Sequence, residues 1–230
     1  MDVLKRFING DYIFKPIDKE DIIYQSYIDI KNKLQQQNIK LLSYNEIIST
    51  IPKMYIDEFN KLMKNLDIDK LYSSPIHGVD HNIRVAVFAL IISAFEKIDL
   101  DDFRIIIECA KYHDIGRIND LEDITHGFMG ARKIDFLESK YNSRELSYMR
   151  TVITVHSLPD DSFKRIALLN DVDDMERCGK MFHILKDADG LDRARLEWPY
   201  IDIDYLRTFT AKRLIPFAYE LNYNYEYNTK

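Results

Sequence analysis

Apolar residues recur every three to four positions over long stretches of the chain, and no stretch keeps the alternation of apolar and polar residues typical of a half-buried strand. This periodicity predicts an all-α protein. Near the N-terminus it predicts one helix over residues 21–34 and another over residues 44–66, which Pro52 interrupts. The run 85–94 is apolar nearly all round, which predicts a helix buried on every side.

Capping residues indicate where several helices begin and end. Asp99 is a good N-cap for a helix over residues 100–112, and Gly116 supplies the permissive backbone that commonly follows a helix end. Later helices are expected over residues 126–137 behind Thr125, 143–156 behind Asn142, 163–169, 173–186 and 204–218. The Tyr- and Asn-rich end of the chain is expected to fray.

Composition narrows the function classes. The chain has 230 residues, of which 46% are hydrophobic, and a net charge of -6, so a large core is expected and nothing global favours nucleic-acid binding. No signal-peptide core is seen, and the longest apolar run is too short to cross a bilayer, so we expect a cytoplasmic protein with no membrane contact. Cys109 and Cys178 show no metal-ligand spacing and are expected to be reduced thiols.

The candidate chemistry is concentrated in the middle of the chain, behind the boundary that Ser73-Ser74-Pro75 indicates. We therefore predict a helical N-terminal extension or cap over residues 1–70 and a core over 71–195. Residues 196–230 are predicted to form a C-terminal helix and tail packed on that core.

Histidines suggest a metal site. Five of the six lie at predicted helix ends or in the adjoining turns: His77, His81, His113, His126 and His156. His183 lies within a predicted helix and is assigned to the core or the surface. A His-Asp pair is common by chance, but a buried Asp114 needs a partner or a metal, and helices of a bundle can return their ends to one place. The aspartates 187, 189 and 192 fit either such a site or a solvated helix end.

His81, His113-Asp114 and Asp189, in this order, resemble the signature of the HD superfamily of metal-dependent phosphohydrolases. The surrounding motifs are similar as well: His81-x-x-Arg84-Val85, Tyr112-His113-Asp114-Ile115-Gly116-Arg117 and Lys186-x-Ala188-Asp189-x-Leu191. The resemblance covers residues 73–195. It implies an HD-domain helical bundle with a metal at its centre, to which this chain adds N- and C-terminal helices.

A second part of the resemblance concerns the number of metals. His126 and His156 fall where dinuclear branches of the superfamily place two further histidines. The segment His126-Gly127-x-x-Gly130-Ala131 resembles that of HD hydrolases acting on nucleotides and dinucleotides. The chain lacks both the Gly-Tyr-Pro motif of cyclic-dinucleotide phosphodiesterases and a synthetase region like that of the stringent-response enzymes.

The resemblance yields a hypothesis for each site residue. His81, His113, Asp114 and Asp189 would bind a first metal, and His126 and His156 a second one bridged by Asp114. Mixed nitrogen and oxygen ligands suit Mn, Fe, Co, Ni or Zn, with one or two ions per chain. The catalytic groups would be Asp114, Arg117 and Lys186, and the substrate would contact His77, Arg84, Arg117 and Arg193. For Arg84, pairing with an acid such as Asp80 is an equal alternative.

The expected activity is hydrolysis of a phosphate ester, in which a metal-activated water attacks phosphorus. The expected partner is a small phosphorylated molecule such as a nucleotide, and a homodimer is also considered. Two alternatives stay open: a di-iron oxygenase on the same scaffold, and a non-catalytic sensor or interaction module that keeps a structural metal. The sequence alone does not identify the substrate.

Overall fold

The structure, a computed structural model, describes residues 14–196 and 201–227, with side chains described as far as Tyr225. Within these ranges the chain forms ten α-helices and no strand, so the all-α prediction is confirmed. In chain order the helices are α1 (Tyr24–Gln36), α2 (Tyr44–Thr50), α3 (Lys53–Met63), α4 (Val79–Phe95), α5 (Leu100–Tyr112), α6 (His126–Ala131), α7 (Ser143–His156), α8 (Phe163–Leu169), α9 (Met175–Asp192) and α10 (Phe209–Tyr227).

Helix α4 forms the centre of the bundle. All residues from Val85 to Ile92 are fully buried, as the apolar run predicts, and the helix packs between α5 and α9. Each large apolar side chain buried there stabilises the fold by about 1.5–3 kcal/mol. The buried centre therefore fixes the three helices that carry His81, the His113-Asp114 pair and Asp189.

Caps set the helix starts near the predicted places. The Asp99 carboxylate accepts hydrogen bonds from the backbone N–H groups of Asp101 and Asp102, and Asn142 forms a capping box with Glu145. Pro52 separates α2 from α3, as predicted. Thr125 precedes α6 but its side chain accepts no capping hydrogen bond.

The predicted bounds of three helices are wrong. The helix expected over residues 204–218 spans Phe209–Tyr227, and two helices that carry candidate ligands also differ. Helix α9 does not end at Lys186 but continues to Asp192, because Ala188 and Leu191 extend its buried face. Helix α6 ends at Ala131 rather than at residue 137, and a short 3₁₀ turn (Asp135–Leu137) follows. This break allows Ile134 and Leu137 to be buried in the core.

The prediction of a frayed C-terminus is wrong for the residues that are described. Helix α10 continues to Tyr227, and the side chains of Tyr223, Asn224 and Tyr225 are buried. The Tyr225 hydroxyl donates a hydrogen bond to Asp80 in the first turn of α4, at 2.5 Å. The last three residues lie outside the described ranges.

Glycines allow the site-bearing segments to approach closely. A Cβ on Gly116 would lie 2.0 Å from the His126 carbonyl oxygen, and one on Gly127 would lie 2.6 Å from the Ile153 carbonyl oxygen. No side chain fits at either position without a backbone shift. The turn after α5 thus packs directly on α6, and α6 packs on the end of α7.

A single cluster of buried apolar side chains includes Leu34, Phe88 and Phe217, which come from the three predicted ranges 1–70, 71–195 and 196–230. The boundaries between those ranges stay a prediction. None of the helices in the described ranges combines the length and apolar character that crossing a membrane requires. Cys109 and Cys178 are buried free thiols, and burial raises the pKa of Cys178 to about 12.

Candidate metal centre

Five helices bring the predicted ligands to one place. His81 lies in the first turn of α4, His113 and Asp114 directly follow α5, and His126 begins α6. His156 is the last residue of α7, and Asp189 lies in the last turn of α9. Two groups of buried donors result, and both could hold a metal ion: His81, His113 and Asp114 form one, and Asp114, His126 and His156 the other.

The first group surrounds one oxygen of Asp114. The Oδ2 atom lies 3.6 Å from His81 Nε2 and 3.8 Å from His113 Nε2, and the two nitrogens are 3.1 Å apart. Asp189 Oδ1 lies at the edge of this group, 3.3 Å from His81 Nε2 and 3.8 Å from His113 Nε2. The four donors predicted for the first metal are therefore adjacent.

The second group surrounds the other oxygen of Asp114. The Oδ1 atom lies 3.1 Å from His126 Nε2 and 3.5 Å from His156 Nε2, and these two nitrogens are 2.9 Å apart. Each oxygen of a single carboxylate thus faces its own pair of histidines. This is the arrangement that a carboxylate bridging two metal ions requires.

Hydrogen bonds at Nδ1 orient the four imidazoles. The acceptors are the carbonyl oxygens of Ala110 for His113, Ile153 for His156 and Asp123 for His126, and the Asp192 carboxylate for His81. Carbonyl and carboxylate oxygens only accept, so each Nδ1 carries the proton. In the neutral rings Nε2 then presents a lone pair to the centre, as a metal ligand must.

Two features indicate that this donor set fits a metal ion. Nitrogen lone pairs about 3 Å apart repel each other unless a proton or a metal ion lies between them. In addition, the buried Asp114 Oδ1 has no hydrogen bond of good geometry to any described residue, although Arg117 Nε lies 3.0 Å away. A buried carboxylate oxygen is costly without a partner, and a cation bound by the two histidines would supply one.

Burial and charge shift the pKa values of the site in different directions. Burial lowers the pKa of His113 to about 4, which keeps that ring neutral. Burial also acts to lower the pKa of His81, but the carboxylates of Asp189 and Asp192 outweigh it and raise the value to about 9. Without a metal ion, His81 therefore also carries a proton on Nε2, and a bound metal ion would replace that proton. The surrounding histidines hold the pKa of Asp114 well below its usual range, against the effect of burial. Asp114 is therefore ionised, as a carboxylate that binds a metal ion must be.

Arg117 is the predicted cation that lies closest to the site. Its Nε is 3.0 Å from Asp114 Oδ1, and Nη1 donates a hydrogen bond to the Leu121 carbonyl oxygen. Lys186 is anchored differently: its ammonium donates hydrogen bonds to the Leu158 carbonyl oxygen and to Asp160, at 2.5 and 2.7 Å. Both of its acceptors come from the segment that follows α7.

Arg84 is buried and paired with an acid, which is one of the two alternatives that the sequence leaves open. The acid is Asp192 rather than Asp80: Arg84 Nε and Nη2 donate to its two oxygens at 2.7 and 3.1 Å. The same carboxylate orients His81. The sequence presents Asp192 only as one of three aspartates that fit either a site or a solvated helix end. Its spacing of three from Asp189 becomes informative once α9 extends to Asp192.

The remaining predicted residues lie around the ligands. His77 Nδ1 is 2.9 Å from Asp120 Oδ1, and the His77 ring centroid is 5.8 Å from that of His81. Arg193 directly follows α9 and is exposed. His183 is exposed on α9, which is one of the two places expected for it.

A cavity of about 820 Å³ opens beside the two groups of donors. Its lining includes His156, Asp189, Lys186 and Arg193, with helix α1 and the segment around Tyr205 as further walls. The Asp189 side chain is 34% exposed, whereas the Asp114 and His81 side chains are 3% exposed. The centre is therefore enclosed by protein on the Asp114 side and accessible from the Asp189 side.

The observations define an all-α bundle with a buried cluster of histidines and aspartates that could bind one or two metal ions. This geometry is compatible with the HD-type signature in the sequence. Comparisons with protein-family models, with curated proteins and with solved structures found no match to this chain.

Proposed function

We propose that this protein is a metal-dependent phosphohydrolase of the HD type. The observation that carries the proposal is the position of Asp114, whose two oxygens each face a separate pair of histidines. A structural metal site needs only one closed set of ligands. A shared carboxylate beside an accessible cavity is the arrangement of a catalytic dinuclear centre.

Divalent transition metals bound by such donors supply Lewis acidity and an activated water for attack on phosphorus. The chain's own contribution is to hold the donors rigidly. Asp114, His81 and His113 are almost completely buried, and each imidazole is fixed through its Nδ1 hydrogen bond. A hydrogen bond to the nitrogen that does not bind the metal orients a ligand imidazole. Loss of such a hydrogen bond typically lowers metal affinity or activity about 10–100-fold.

Arg117 supports a phosphoryl-transfer role. The Arg117 side chain is only 12% exposed, and its Nε lies 3.0 Å from Asp114 Oδ1 at the centre of the site. Phosphoryl transfer concentrates charge on the non-bridging oxygens, and an arginine beside the reacting group stabilises that charge.

Lys186 and His77 are the two further residues proposed to act on the substrate. Lys186 lines the cavity one helical turn before Asp189, and its amino group is oriented by Asp160. The Asp120 carboxylate holds His77 through Nδ1, which leaves Nε2 as the atom available to a substrate. Arg84 is not assigned a contact with the substrate, because its guanidinium is buried and bonded to Asp192.

The proposed substrate is an organic phosphate ester of about the size of a nucleotide. The cavity beside Asp189, at about 820 Å³, lies in the range of sites that enclose drug-sized ligands and is far larger than a phosphate group alone needs. It combines basic side chains near the candidate ligands with the apolar side chains of Ile203 and Leu206 and the aromatic ring of Tyr205. Both a monoester and a diester fit this description.

The test is hydrolysis by protein loaded with Mn, Fe, Co, Ni or Zn in turn, on a panel of p-nitrophenyl phosphate, bis-p-nitrophenyl phosphate and nucleotides. We expect turnover with at least one metal, and its loss after chelation and in Asp114→Asn. The matched control is Asp101→Asn, since Asp101 is an exposed acid in the first turn of α5. No turnover with any metal would contradict the proposal, and two bound irons with oxygen consumption would favour the oxygenase alternative.

A further inference from the structure

Exposed large apolar side chains are unevenly distributed over the surface of the protein. Thirteen of them occur in the described ranges, and seven of these fall in two short segments, residues 118–129 and 168–169. Their exposed fractions run from 45% at Met129 to 76% at Ile118. The apolar patch, as we term these seven side chains, also includes Leu121, Ile124, Phe128, Leu168 and Leu169.

The apolar patch is continuous across helix α6. Phe128 lines a groove of about 380 Å³ together with Leu169, so one side of α6 faces α8. Met129 lies about one turn before Lys133, whose ammonium donates a hydrogen bond to the Ile115 carbonyl oxygen at 3.1 Å. Met129 is therefore on the side of α6 that faces the turn after α5. The loop that carries the remaining three side chains of the patch in residues 118–124 continues from this turn.

The apolar patch is large enough to form the core of an interface between proteins. A stable interface buries about 800 Å² on each partner, whereas the largest apolar patch of a typical monomer covers about 300–600 Å². Seven large apolar side chains, at on the order of 100 Å² each, amount to roughly 700 Å². The patch alone thus nearly reaches the area that a stable dimer needs, before the polar residues around it are included.

Composition and charge favour a second copy of this chain as the occupant. Homodimer interfaces are more apolar than other interfaces, and they are enriched in the Phe, Met and Arg residues that α6 presents. The residues at the margin carry both signs of charge: Glu122 and Asp171 are acidic, and Arg132 and Arg165 are basic. None of these four has an ion-pair partner among the described residues. A margin of mixed sign does not select a strongly charged partner such as nucleic acid, whereas a second copy brings the same mixture and can pair acids with bases.

We propose that the protein forms a homodimer in which the apolar patches of two copies face each other. The contact would cover the outer side of the loop over residues 117–125. The inner side of this loop serves the candidate metal centre: Asp120 holds His77, and the Leu121 carbonyl oxygen accepts a hydrogen bond from Arg117. The proposal does not rest on the phosphohydrolase function, because association is measured without substrate.

The test is sedimentation velocity of the purified protein over a series of concentrations. We expect the wild type to reach twice the mass of the chain as its concentration rises. Phe128→Glu and Leu169→Glu should each weaken association by about 30-fold or more, because a two-fold contact places the new carboxylate in the apolar core twice. Circular dichroism checks that both variants keep their helices. Amide hydrogen exchange in residues 117–131 and 163–169 should slow as the wild type associates.

Phe209→Glu is the matched control. Phe209 is also an exposed phenylalanine with an arginine four residues later over its ring: Arg213 lies 5.8 Å from its centroid, as Arg132 lies 5.7 Å from that of Phe128. It lines a different groove, beside the start of α9, and should keep the wild-type association. A wild type that stays monomeric at every concentration would overturn the proposal. A dimer that Phe128→Glu and Leu169→Glu leave intact, or an equal loss in Phe209→Glu, would overturn it as well.

Discussion

His81 Nδ1 lies 2.7 Å from Asp192 Oδ2, and Asp192 itself is completely buried. The same carboxylate accepts two hydrogen bonds from Arg84, which lies over the ring of Tyr225 with 5.0 Å between Arg84 Cζ and the ring centroid. A metal-ligand candidate at the start of α4 is thus oriented by α9 and, through Arg84, supported by α10. Asp192 thus orients a candidate metal ligand without itself facing the two groups of donors.

The first prediction concerns Asp192→Asn. An amide can accept from His81 with one atom only and weakens the pull on its Nδ1 proton, so we expect metal affinity to fall by about 10–100-fold. Metal content after dialysis against a graded chelator measures this change, and circular dichroism checks that the helices remain. Glu176→Gln is the control, because this exposed acid of the same helix is paired with Lys180 alone among the described residues. Unchanged metal content in Asp192→Asn would show that His81 does not need this contact.

The second prediction compares two glycines. Gly116→Ala should destabilise the fold by about 1–3 kcal/mol, because the new Cβ would meet the backbone of His126 and of Gly130 at 2.0 and 2.4 Å. Gly179→Ala should stabilise it by about 1 kcal/mol, since this position is inside α9 and its Cβ would meet only the Phe163 ring, at 3.7 Å. Urea denaturation followed by circular dichroism measures both changes. Equal midpoints for the two variants would contradict the close packing of α6 on the turn after α5.

The third prediction is a pH dependence at Asp160. Burial acts to raise the pKa of its carboxyl, but Arg207 and Lys186 outweigh burial and lower it from 3.8 to about 2. A pKa lowered in the folded state stabilises the protein above the unfolded-state value, and this stabilisation disappears as the pH falls from 3.8 through about 2. The free-energy difference between wild type and Asp160→Asn should therefore be largest near neutral pH and shrink below pH 3.8.

Denaturation by urea at pH 7, 5 and 3 measures that difference. Asp161→Asn is the control, because Asp161 is the exposed neighbour and forms no ion pair among the described residues. A difference between wild type and Asp160→Asn that stays constant over this pH range would rule out the charged contact as its cause.

The sequence predicts most of the helices because their apolar periodicity, caps and glycines are local signals. The ligand set could be proposed from a different signal, because His81, His113-Asp114 and Asp189 in this order resemble the HD signature. The contacts that orient those ligands could not be predicted from the sequence. Asp123 and Ile153 act through their backbone carbonyl oxygens, which no residue type encodes.

Other differences come from tertiary packing. The Tyr- and Asn-rich end looks polar enough to fray, yet Tyr225 is buried because its hydroxyl bonds to Asp80 and its ring packs on Arg84. The continuation of α9 past Lys186 depends on the burial of Ala188 and Leu191 against neighbouring helices. Such contacts join residues far apart in the chain, which periodicity does not detect.

The fourth prediction concerns Asp114→Ala. Because one carboxylate serves both groups of histidines, its removal should abolish binding of every metal equivalent together with turnover, while most of the helix content remains. Elemental analysis and circular dichroism on the same sample measure these quantities. Full metal content in this variant would contradict a shared carboxylate.

The central claim is that two metals bind on the two sides of Asp114, and counting metals tests it most directly. Elemental analysis should find close to two transition-metal ions per chain in the wild type and close to one in the double variant His126→Ala/His156→Ala, because only the second group is lost. His113→Ala should lose metal from the first group and all turnover. A wild-type protein that binds no transition metal, or a double variant that still binds two, would contradict the account.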